Sequence, residues 1–376
     1  METAGLYLHI PFCHAKCEYC DFYSITVLDQ MEQFCRMLEK ELQLRAVEGQ
    51  TYQFETIFLG GGTPSLLSEK QLSGILETVY RHYRIAPDAE ITMESNPGTL
   101  DAAKLKAIRK AGINRLSMGV QSFQPAELQA LGRIHSVAEV LENFGNARAA
   151  GFGNINLDLM TAFPGITPDS FQKSLEQALA LQPEHLSCYT LIFEPNTVLF
   201  KRMQLGEVSP LGEEEEAGYY EQARILLEAN DYQQYEISNF SRGAKRVCRH
   251  NLIYWRHYPY LGFGPSAHSF DGRRRFANQR SLMVYLKKLG AGQLAVDFEE
   301  QLTDQQRMFE YIFLNLRLRS GIPLADFEAR FGTSLDAAFP QSIRELRESS
   351  LIEYQEGHLR LTSQGWLLAD SVAARF

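Results

Sequence analysis

The sequence predicts an α/β fold built on a parallel β-sheet. One observation is that short β-rich runs alternate with amphipathic helical patterns from the N-terminus to about residue 190. A second is that polar residues lie at or just beyond the carboxyl ends of predicted strands, at residues 13–20, 60–63, 94, 121 and 158. The alternation fits either a barrel or a doubly wound sheet. The polar residues at the strand ends favour the barrel, because parallel αβ barrels place their functional residues at the carboxyl ends of the strands.

Each predicted element has its own signal. Short apolar and β-branched runs are typical of strands, and they cover residues 6–10, 56–59, 90–94, 115–119, 154–159 and 185–189. Between these runs, apolar residues recur at helical spacing, as Phe34, Leu38 and Leu42 do. The predicted helices cover residues 31–42, 72–79, 102–111, a segment beginning near 125, 137–149 and 168–180.

The second half of the chain is organised differently. Four glutamates at residues 213–216 open a helix, where they suit the positive end of the helix dipole. Residues 232–276 are rich in aromatic residues, Gly and His and predict strands and loops. Helices at 281–289, 303–318, 324–331 and 340–348, then a hairpin and a final helix, predict a winged-helix-like module. The predicted regions are a core barrel (1–235), a sheet extension (236–295) and a C-terminal module (296–376).

Charge and composition exclude several classes of function. The 376 residues include 37 Lys and Arg against 46 Asp and Glu, which gives a formal net charge of −9. Proteins that track phosphates usually carry excess basic charge, so we expect no nucleic-acid partner. No apolar run approaches about 18 residues, so we expect no transmembrane segment. The first residues carry no secretory signal, and we expect a cytoplasmic protein.

Three of the six cysteines, Cys13, Cys17 and Cys20, lie close together in the sequence. Six cysteines in a chain of this length do not make a disulfide scaffold. Thiolates at i, i+4 and i+7 can converge on one inorganic site. One interpretation is a zinc site completed by His9, His14 or Asp21. The other, favoured by the absence of a second cysteine pair, is a [4Fe–4S] cluster with three protein ligands and one open iron.

The cysteine segment also resembles a known family. Tyr-Leu-His-Ile-Pro-Phe-Cys at 7–13 and Cys-Glu-Tyr-Cys-Asp-Phe at 17–22 are similar to the N-terminal signature of the radical S-adenosylmethionine (SAM) superfamily. The resemblance is closest to the oxygen-independent coproporphyrinogen III oxidases and their relatives. Further matches follow in register at residues 60–65, 94–98, 119–122, 131–135 and 156–160, so the resemblance covers most of the chain. It implies a partial (β/α)6-type radical SAM barrel with an extended sheet.

The resemblance implies a [4Fe–4S] cluster held by Cys13, Cys17 and Cys20, whose open iron chelates the amino and carboxylate groups of SAM. Electron transfer from the cluster then cleaves a carbon–sulfur bond of SAM to give a 5′-deoxyadenosyl radical. The residue types fit that task, since an arginine can pair with a carboxylate in bidentate fashion and glycines let the backbone approach a ligand. The implied SAM contacts are Tyr7, Tyr19, Gly60, Gly61, Gly62, Thr63, Glu94, Gln121, Arg133 and Asp158.

Within the family, the sequence is more similar to the HemW-type heme chaperones than to the oxidases. Residues 250–255, His-Asn-Leu-Ile-Tyr-Trp, match the His-Asn-x-x-Tyr-Trp element of these chaperones. Twelve residues precede Cys13, fewer than in the oxidases, and Phe22 stands where the oxidases carry a further cysteine. We therefore expect a heme chaperone with little or no coproporphyrinogen decarboxylation. The oxidase itself is the alternative.

The chaperone interpretation makes His250 the candidate axial ligand of heme, because a neutral imidazole can bind heme iron. A structural role for His250 is the alternative, and Cys248 and His268 are further candidate ligands. The implied cofactors are the [4Fe–4S] cluster, SAM and heme, and the implied partners are heme-accepting respiratory apoproteins. The sequence leaves open which apoprotein receives heme and whether two copies form a homodimer.

Overall fold

A computed structural model describes all residues, 1–376. Its fifteen strands are β1 (Glu2–Ile10), β2 (Tyr52–Gly61), β3 (Ile85–Ser95), β4 (Arg115–Gln121), β5 (Ile155–Met160), β6 (His185–Tyr189), β7 (Gln233–Glu236), β8 (Asn239–Ser241), β9 (Tyr260–Phe263), β10 (His268–Phe270), β11 (Arg274–Asn278), β12 (Val296–Gln301), β13 (Ile322–Pro323), β14 (Ile352–Gln355) and β15 (His358–Leu361). The helices are α1 (Met31–Leu44), α2 (Glu69–His82), α3 (Ala102–Lys110), α4 (Pro125–Ala130), α5 (Val137–Ala149), α6 (Pro168–Ala180), α7 (Val198–Gln204), α8 (Glu213–Glu228), α9 (Arg249–Trp255), α10 (Leu282–Gly290), α11 (Asp304–Asn315), α12 (Leu324–Phe331), α13 (Leu335–Ala338), α14 (Pro340–Glu348), α15 (Ser363–Trp366) and α16 (Ala369–Ala373).

Twelve strands form one large mixed sheet, in the order β12-β11-β10-β9-β1-β2-β3-β4-β5-β6-β8-β7. Strands β1 to β6 are parallel and adjacent in sequence order, with helices between them. Strand β9 extends the sheet parallel to β1, and β10 to β12 continue it in antiparallel pairing. The sheet does not close, because its edge strands β12 and β7 do not pair with each other. The predicted partial barrel with an extended sheet is confirmed.

The two faces of the parallel sheet differ in chemistry. Register places alternate residues of neighbouring strands side by side, so that Thr56 pairs with Glu90, Thr92 with Arg115 and Asn156 with His185. We call this side the polar face. The intervening residues are apolar, and helices α1, α2, α3, α5 and α6 cover them in a core of 61 buried residues. The polar face consists of Gly5, Tyr7, His9, Thr56, Phe58, Gly60, Glu90, Thr92, Glu94, Arg115, Ser117, Gly119, Asn156, Asp158, His185, Ser187 and Tyr189.

A second, smaller core of 15 buried residues holds the C-terminal part of the chain together. It joins helices α11 to α16 to a three-stranded sheet of order β13-β15-β14. The predicted helices followed by a hairpin are confirmed there, since α14 leads into β14 and β15. Helix α11 packs against α9 and so connects this part to the large sheet. The three-region division of the chain stays a prediction.

The expectation of only strands and loops over residues 232–276 is wrong, because residues 249–255 form helix α9. Its N-cap residue, Cys248, provides no side-chain cap, so the local sequence lacks a helix-start signal. The capping acceptor is instead Glu90 on β3, whose carboxylate accepts the backbone N–H groups of Arg249 (3.1 Å) and His250 (3.2 Å). A carboxylate at this end of a helix is stabilising. Helix α9 therefore lies against the polar face.

No helix of the structure has the length and apolar character needed to cross a membrane. All six cysteines are free thiols.

A buried ion pair ties helix α1 to the sheet extension. Arg45 and Glu41 have side chains 1% and 0% exposed and lie 3.1 Å apart. The Arg45 guanidinium also donates to the carbonyl oxygen of Gly262 (2.7 Å), and the Glu41 carboxylate accepts from Asn278 (2.6 Å) and Tyr285 (2.7 Å). These partners come from β9, β11 and α10, so one ion pair orients three elements against α1.

We predict that Arg45→Met lowers the free energy of unfolding by about 3–5 kcal/mol, because it leaves the Glu41 carboxylate buried without its counter-charge. Arg36→Met is the matched control, since Arg36 forms the same i,i+4 pair with Glu32 on α1 but both side chains are more than 60% exposed. That change should cost less than about 1 kcal/mol. Urea unfolding followed by circular dichroism measures both values, and equal losses would contradict the prediction.

Candidate functional site

A cavity of about 150 Å³ lies at the carboxyl ends of the parallel strands. It is bounded on one side by the cysteine loop that follows β1 and on the other by the ends of β2 to β6. Parallel strands end at one edge of a sheet, so residues distant in sequence meet there. The lining includes Cys13, Cys17, Tyr19, Cys20, Gly61, Gly62, Glu94, Asn96, Ser117, Gln121, Arg133, Asp158 and Tyr189.

Backbone hydrogen bonds at its two ends close the cysteine loop. The N–H of Ile25 donates to the carbonyl oxygen of Pro11 (2.7 Å), and the N–H of Cys13 donates to that of Ile25 (2.9 Å). His9 supports the loop from β1, because its Nε2 donates to the carbonyl oxygen of Tyr23 (2.8 Å) while its Nδ1 accepts from Tyr7 (3.0 Å). Both nitrogens of His9 are therefore engaged, and His9 is not free to complete a zinc site.

The three clustered thiols all line the cavity, and two of them receive hydrogen bonds. The Arg133 guanidinium donates to Cys17 Sγ (3.4 Å), and the Thr63 hydroxyl donates to Cys13 Sγ (3.5 Å). Burial, and more weakly the two neighbouring thiols, raise the pKa of Cys20 to about 11. No set of three or more His, Cys, Asp or Glu side chains is arranged around a single metal ion. Cysteine thiolates are the usual ligands of iron–sulfur clusters, and hydrogen bonds to the ligand sulfurs, such as those from Arg133 and Thr63, tune such clusters.

The glycine segment after β2 brings backbone, rather than side chains, to the cavity. Gly61 has a φ of +104°, and a Cβ there would lie 2.5 Å from the His9 ring. Its N–H donates to the Glu94 carboxylate (3.1 Å). A Cβ on Gly62 would lie 2.6 Å from the carbonyl oxygen of Phe12. A side chain at Gly61 would displace the His9 ring, and one at Gly62 would displace the backbone that leads into the cysteine loop, so both positions require glycine.

Two carboxylates face the cavity from strands β3 and β5, which lie on either side of β4. Burial and the nearby Asp158 raise the pKa of Glu94 to about 8. Burial also raises the pKa of Asp158, while hydrogen bonds from serine and asparagine side chains oppose the rise. The Asp158 carboxylate accepts from Asn156 (2.7 Å) and Ser117 (3.1 Å). When they are ionised, these two side chains can accept hydrogen bonds from hydroxyl or ammonium groups of a ligand in the cavity.

Gln121 and Arg133 complete the polar lining. Gln121 has a φ of +69°, which is uncommon for a residue other than glycine and typical of functional sites. Its Oε1 accepts from the Tyr189 hydroxyl (2.7 Å), which leaves the amide NH2 for a ligand. Arg133 donates to Asn96 (2.7 Å) and to the carbonyl oxygen of Gly119 (2.7 Å), while its Nε is buried without a partner. That orphaned donor fits a carboxylate in the cavity.

The structure separates the predicted site residues into two groups. Most of them line the cavity, and Gly60 and Thr63 lie directly beside it in the segment that carries Gly61 and Gly62. Tyr7 lies deeper on the polar face, where its ring stacks against Phe58 and His250 at centroid distances of 6.3 and 6.4 Å. His250 lies on α9, outside the cavity. The candidate heme ligand and the candidate SAM contacts are thus different sites on one face.

The His250 ring is 1% exposed, and both its nitrogens have partners. Nδ1 lies 2.7 Å from the Thr56 hydroxyl, and Nε2 lies 2.9 Å from the Tyr254 hydroxyl. Burial, and more weakly the charge of Arg115, lower the pKa of His250 to about 3. The imidazole is therefore neutral at physiological pH. Of the alternative ligands, Cys248 is also buried, and burial raises the pKa of its thiol to about 12.

Sequence reasoning missed three polar residues of this region. Ser117 and Tyr189 line the cavity, and Glu90 caps α9. Tyr189 ends the sixth predicted strand, so its strand-end position was a usable signal. Ser117 lies inside a strand, two residues before Gly119, and only the alternation of faces could have assigned it to the polar face.

Comparisons with known proteins agree with this geometry. Residues 7–178 match the Radical SAM superfamily, and residues 302–368 match the HemN C-terminal domain. The chain is 38% identical to the heme chaperone HemW of Bacillus subtilis (strain 168), over 98% of both chains. It is 35% identical to the heme chaperone HemW of Escherichia coli (strain K12), over 100% of this chain and 98% of that one.

Two further similarities involve a eukaryotic protein and a solved structure. The chain is 34% identical to the mitochondrial radical S-adenosyl methionine domain-containing protein 1 of Danio rerio, over 98% of this chain and 86% of that one. Coproporphyrinogen III oxidase (HemN) from Escherichia coli superposes with a TM-score of 0.86 over 100% of this chain and 90% of that chain, at 23% identity. The last likeness concerns the fold alone.

We predict that Cys13→Ala, Cys17→Ala and Cys20→Ala each abolish iron–sulfur reconstitution, because each removes one of three thiolate ligands. The parent should hold about four irons and four sulfides per chain after anaerobic reconstitution. Cys35→Ala is the control, since Cys35 is buried in α1 against the apolar core and should leave the iron content unchanged. One tightly bound zinc and no sulfide in the parent would contradict the assignment.

We predict that Arg133→Ala weakens SAM binding by about 1.5–3 kcal/mol, the usual scale for a hydrogen bond to a charged group. Isothermal titration of anaerobically reconstituted protein with SAM measures the change. Arg344→Ala, at an exposed position of α14, should bind SAM like the parent. Unchanged SAM affinity in both Arg133→Ala and Glu94→Ala would place the SAM site elsewhere.

Proposed function

The chain belongs to the HemW family of radical SAM proteins, and on that premise we propose that it is a heme chaperone that binds a [4Fe–4S] cluster, SAM and heme. The observation that carries the proposal is the 38% identity to a heme chaperone over 98% of both chains. The proposal is further supported by three thiols, two carboxylates, an arginine and a glycine segment around one cavity. The solved structure of the oxidase is 23% identical to this chain, so that likeness shows the fold alone.

The residues around the cavity fit the cluster and SAM. The thiolates of Cys13, Cys17 and Cys20 would hold the cluster, which supplies one-electron chemistry toward SAM when both are bound. The unpartnered Nε of Arg133 suits the SAM carboxylate. Glu94 and Asp158 suit the donors of SAM, namely its ammonium and its ribose hydroxyls. The glycine segment admits the ligand without a side chain in the way.

Heme would bind at the other site, through His250. A ligating imidazole usually keeps one nitrogen on a hydrogen-bond partner, and that partner fixes the tautomer. Thr56, fully buried beneath the ring, suits that role at Nδ1. Nε2 would then bind the heme iron, and its hydrogen bond with the Tyr254 hydroxyl would have to break. Helix α9 carries both His250 and Tyr254, so heme binding requires a rearrangement of this helix.

The proposed partners are heme-accepting apoproteins of respiration, and the proposed location is the cytoplasm. The location is supported by the six free thiols, since oxidising compartments favour disulfides.

We predict that His250→Ala weakens heme binding and changes the Soret band, because it removes the imidazole that would bind the heme iron. Burial of the macrocycle still contributes at roughly 25 cal/mol per Å², so binding should weaken rather than vanish. Tyr254→Phe should strengthen heme binding, since it frees Nε2 while keeping the aromatic ring. Absorption titrations with heme measure all three proteins.

The control for fold is the iron–sulfur content, which should be equal in the parent, His250→Ala and Tyr254→Phe. If His250→Ala titrates with heme as the parent does, the assignment of His250 as the heme ligand is wrong. The same titration of Cys248 and His268 variants then tests the two other candidate ligands. If the parent binds no heme but decarboxylates coproporphyrinogen with SAM and reductant, the oxidase interpretation replaces the chaperone.

A further inference from the structure

A row of hydrogen bonds runs across the polar face from the cavity to helix α9. Asn156 Nδ2 donates to the Asp158 carboxylate (2.7 Å), and Asn156 Oδ1 lies 2.6 Å from His185 Nδ1. His185 Nε2 lies 2.8 Å from the Tyr235 hydroxyl, which accepts the backbone N–H of Cys248 (3.2 Å). We call these five residues the Asp158 row. Asn156 and His185 are 1% and 0% exposed, so water does not compete for these bonds.

The chemistry of the groups fixes the direction of every bond in the row. A carboxylate only accepts, so Asn156 must turn its NH2 toward Asp158 and its carbonyl oxygen toward His185. That oxygen requires a donor, so His185 carries its proton on Nδ1. Nε2 is then an acceptor, and the Tyr235 hydroxyl donates to it. The Tyr235 oxygen in turn accepts a hydrogen bond from the backbone N–H of Cys248, which can only donate. All donors therefore point toward Asp158.

The second oxygen of the Asp158 carboxylate is held in the same way. Ser117 donates to it (3.1 Å) and accepts from the second N–H of Asn156 (2.7 Å). Ser187 donates a further bond to Asn156 Oδ1 (3.2 Å). Both amide hydrogens and the amide oxygen of Asn156 are thus engaged. Reversing the amide would place a carbonyl oxygen against the carboxylate, at a cost that nothing nearby offsets.

We propose that Asn156, His185 and Tyr235 are positioning residues that fix the Asp158 carboxylate toward SAM in the cavity. None of the three was among the residues expected to contact SAM, and none lines the cavity. They act through Asp158, as outer partners of a binding residue do when they set its orientation. The inference rests on the proposed SAM site.

The surroundings of Asp158 make its charge depend on this row. The titratable groups that act on its charge are Glu94 on β3, Arg115 on β4 and Tyr189 on β6, together with Cys188, which lies on the apolar face of β6. Burial raises the pKa of Asp158, and the donors from serine and Asn156 oppose that rise. Loss of a donor would raise the pKa further. An ionised carboxylate accepts hydrogen bonds from a ligand, so SAM affinity in a row variant should recover as the pH rises.

The first test reads the tautomer without any ligand. In the protein labelled with 15N-histidine, His185 should give the signals of a neutral ring protonated on Nδ1, unchanged between pH 5 and pH 9. Loss of these signals in His185→Asn assigns them to this residue. A ring protonated on Nε2 would reverse the row and overturn the inference.

The second test measures SAM binding by titration calorimetry at pH 6 and pH 9. His185→Phe removes the donor to Asn156 and should weaken binding about 10- to 100-fold at pH 6, the range found for outer-shell partners, and less at pH 9. His185→Asn can place an amide N–H near the position of Nδ1 and should restore most of the affinity. A merely structural loosening would weaken SAM binding equally at both values of pH, which would overturn the inference.

Tyr235→Phe provides a second variant with minimal change of shape. It removes only the hydroxyl, and it should weaken SAM binding less than His185→Phe but with the same dependence on pH. If circular dichroism shows that His185→Phe is unfolded, Tyr235→Phe alone tests the inference. SAM binding by Tyr235→Phe with the affinity of the parent would then overturn it. A parent that binds no SAM refutes the proposed site and the inference together, whereas SAM binding by the parent and equal binding by the variants refutes only the inference.

Discussion

Water does not reach the part of the polar face that lies toward the amino-terminal ends of its strands. Thr56, Glu90 and His185 are at most 6% exposed there, so protein groups must satisfy their hydrogen bonds. Helix α9 supplies many of those groups, since its first backbone N–H groups bind Glu90 and its histidine binds Thr56. Helix α9 does not extend over the carboxyl ends of the same strands. Since α9 covers the amino-terminal ends of these strands, the cavity lies at their carboxyl ends.

This arrangement places two chemically different sites on one set of strands. The cavity presents thiols, carboxylates and exposed backbone, which suit polar and inorganic ligands. The α9 site presents aromatic rings around one neutral imidazole. Tyr7 lies between them, with its hydroxyl on His9, which supports the cysteine loop, and its ring against His250. The Asp158 row joins the same two sites along a second line, through hydrogen bonds rather than ring contacts.

The sequence predicted what depends on local patterns. Helices α5 and α6 and strand β6 begin and end at the residues predicted from the sequence pattern, and the strand-end motifs do meet at one cavity. It did not predict features whose cause lies far away in the chain. Helix α9 has its cap on β3, and the role of Asn156 depends on a histidine from the next strand. The sequence around each of these residues gives no indication of a partner that is distant in the chain.

The remote cap of α9 has a consequence for the order in which the chain folds. Seven residues are too few to form a stable helix in isolation, because nucleation is costly and propagation too short. Glu90 precedes Arg249 by 159 residues and comes from a strand whose neighbours are all synthesised earlier than α9. During translation, the parallel sheet can thus assemble first and act as a template for this helix. The closed end of the polar face forms late, and the C-terminal third of the chain depends on the N-terminal half to complete it.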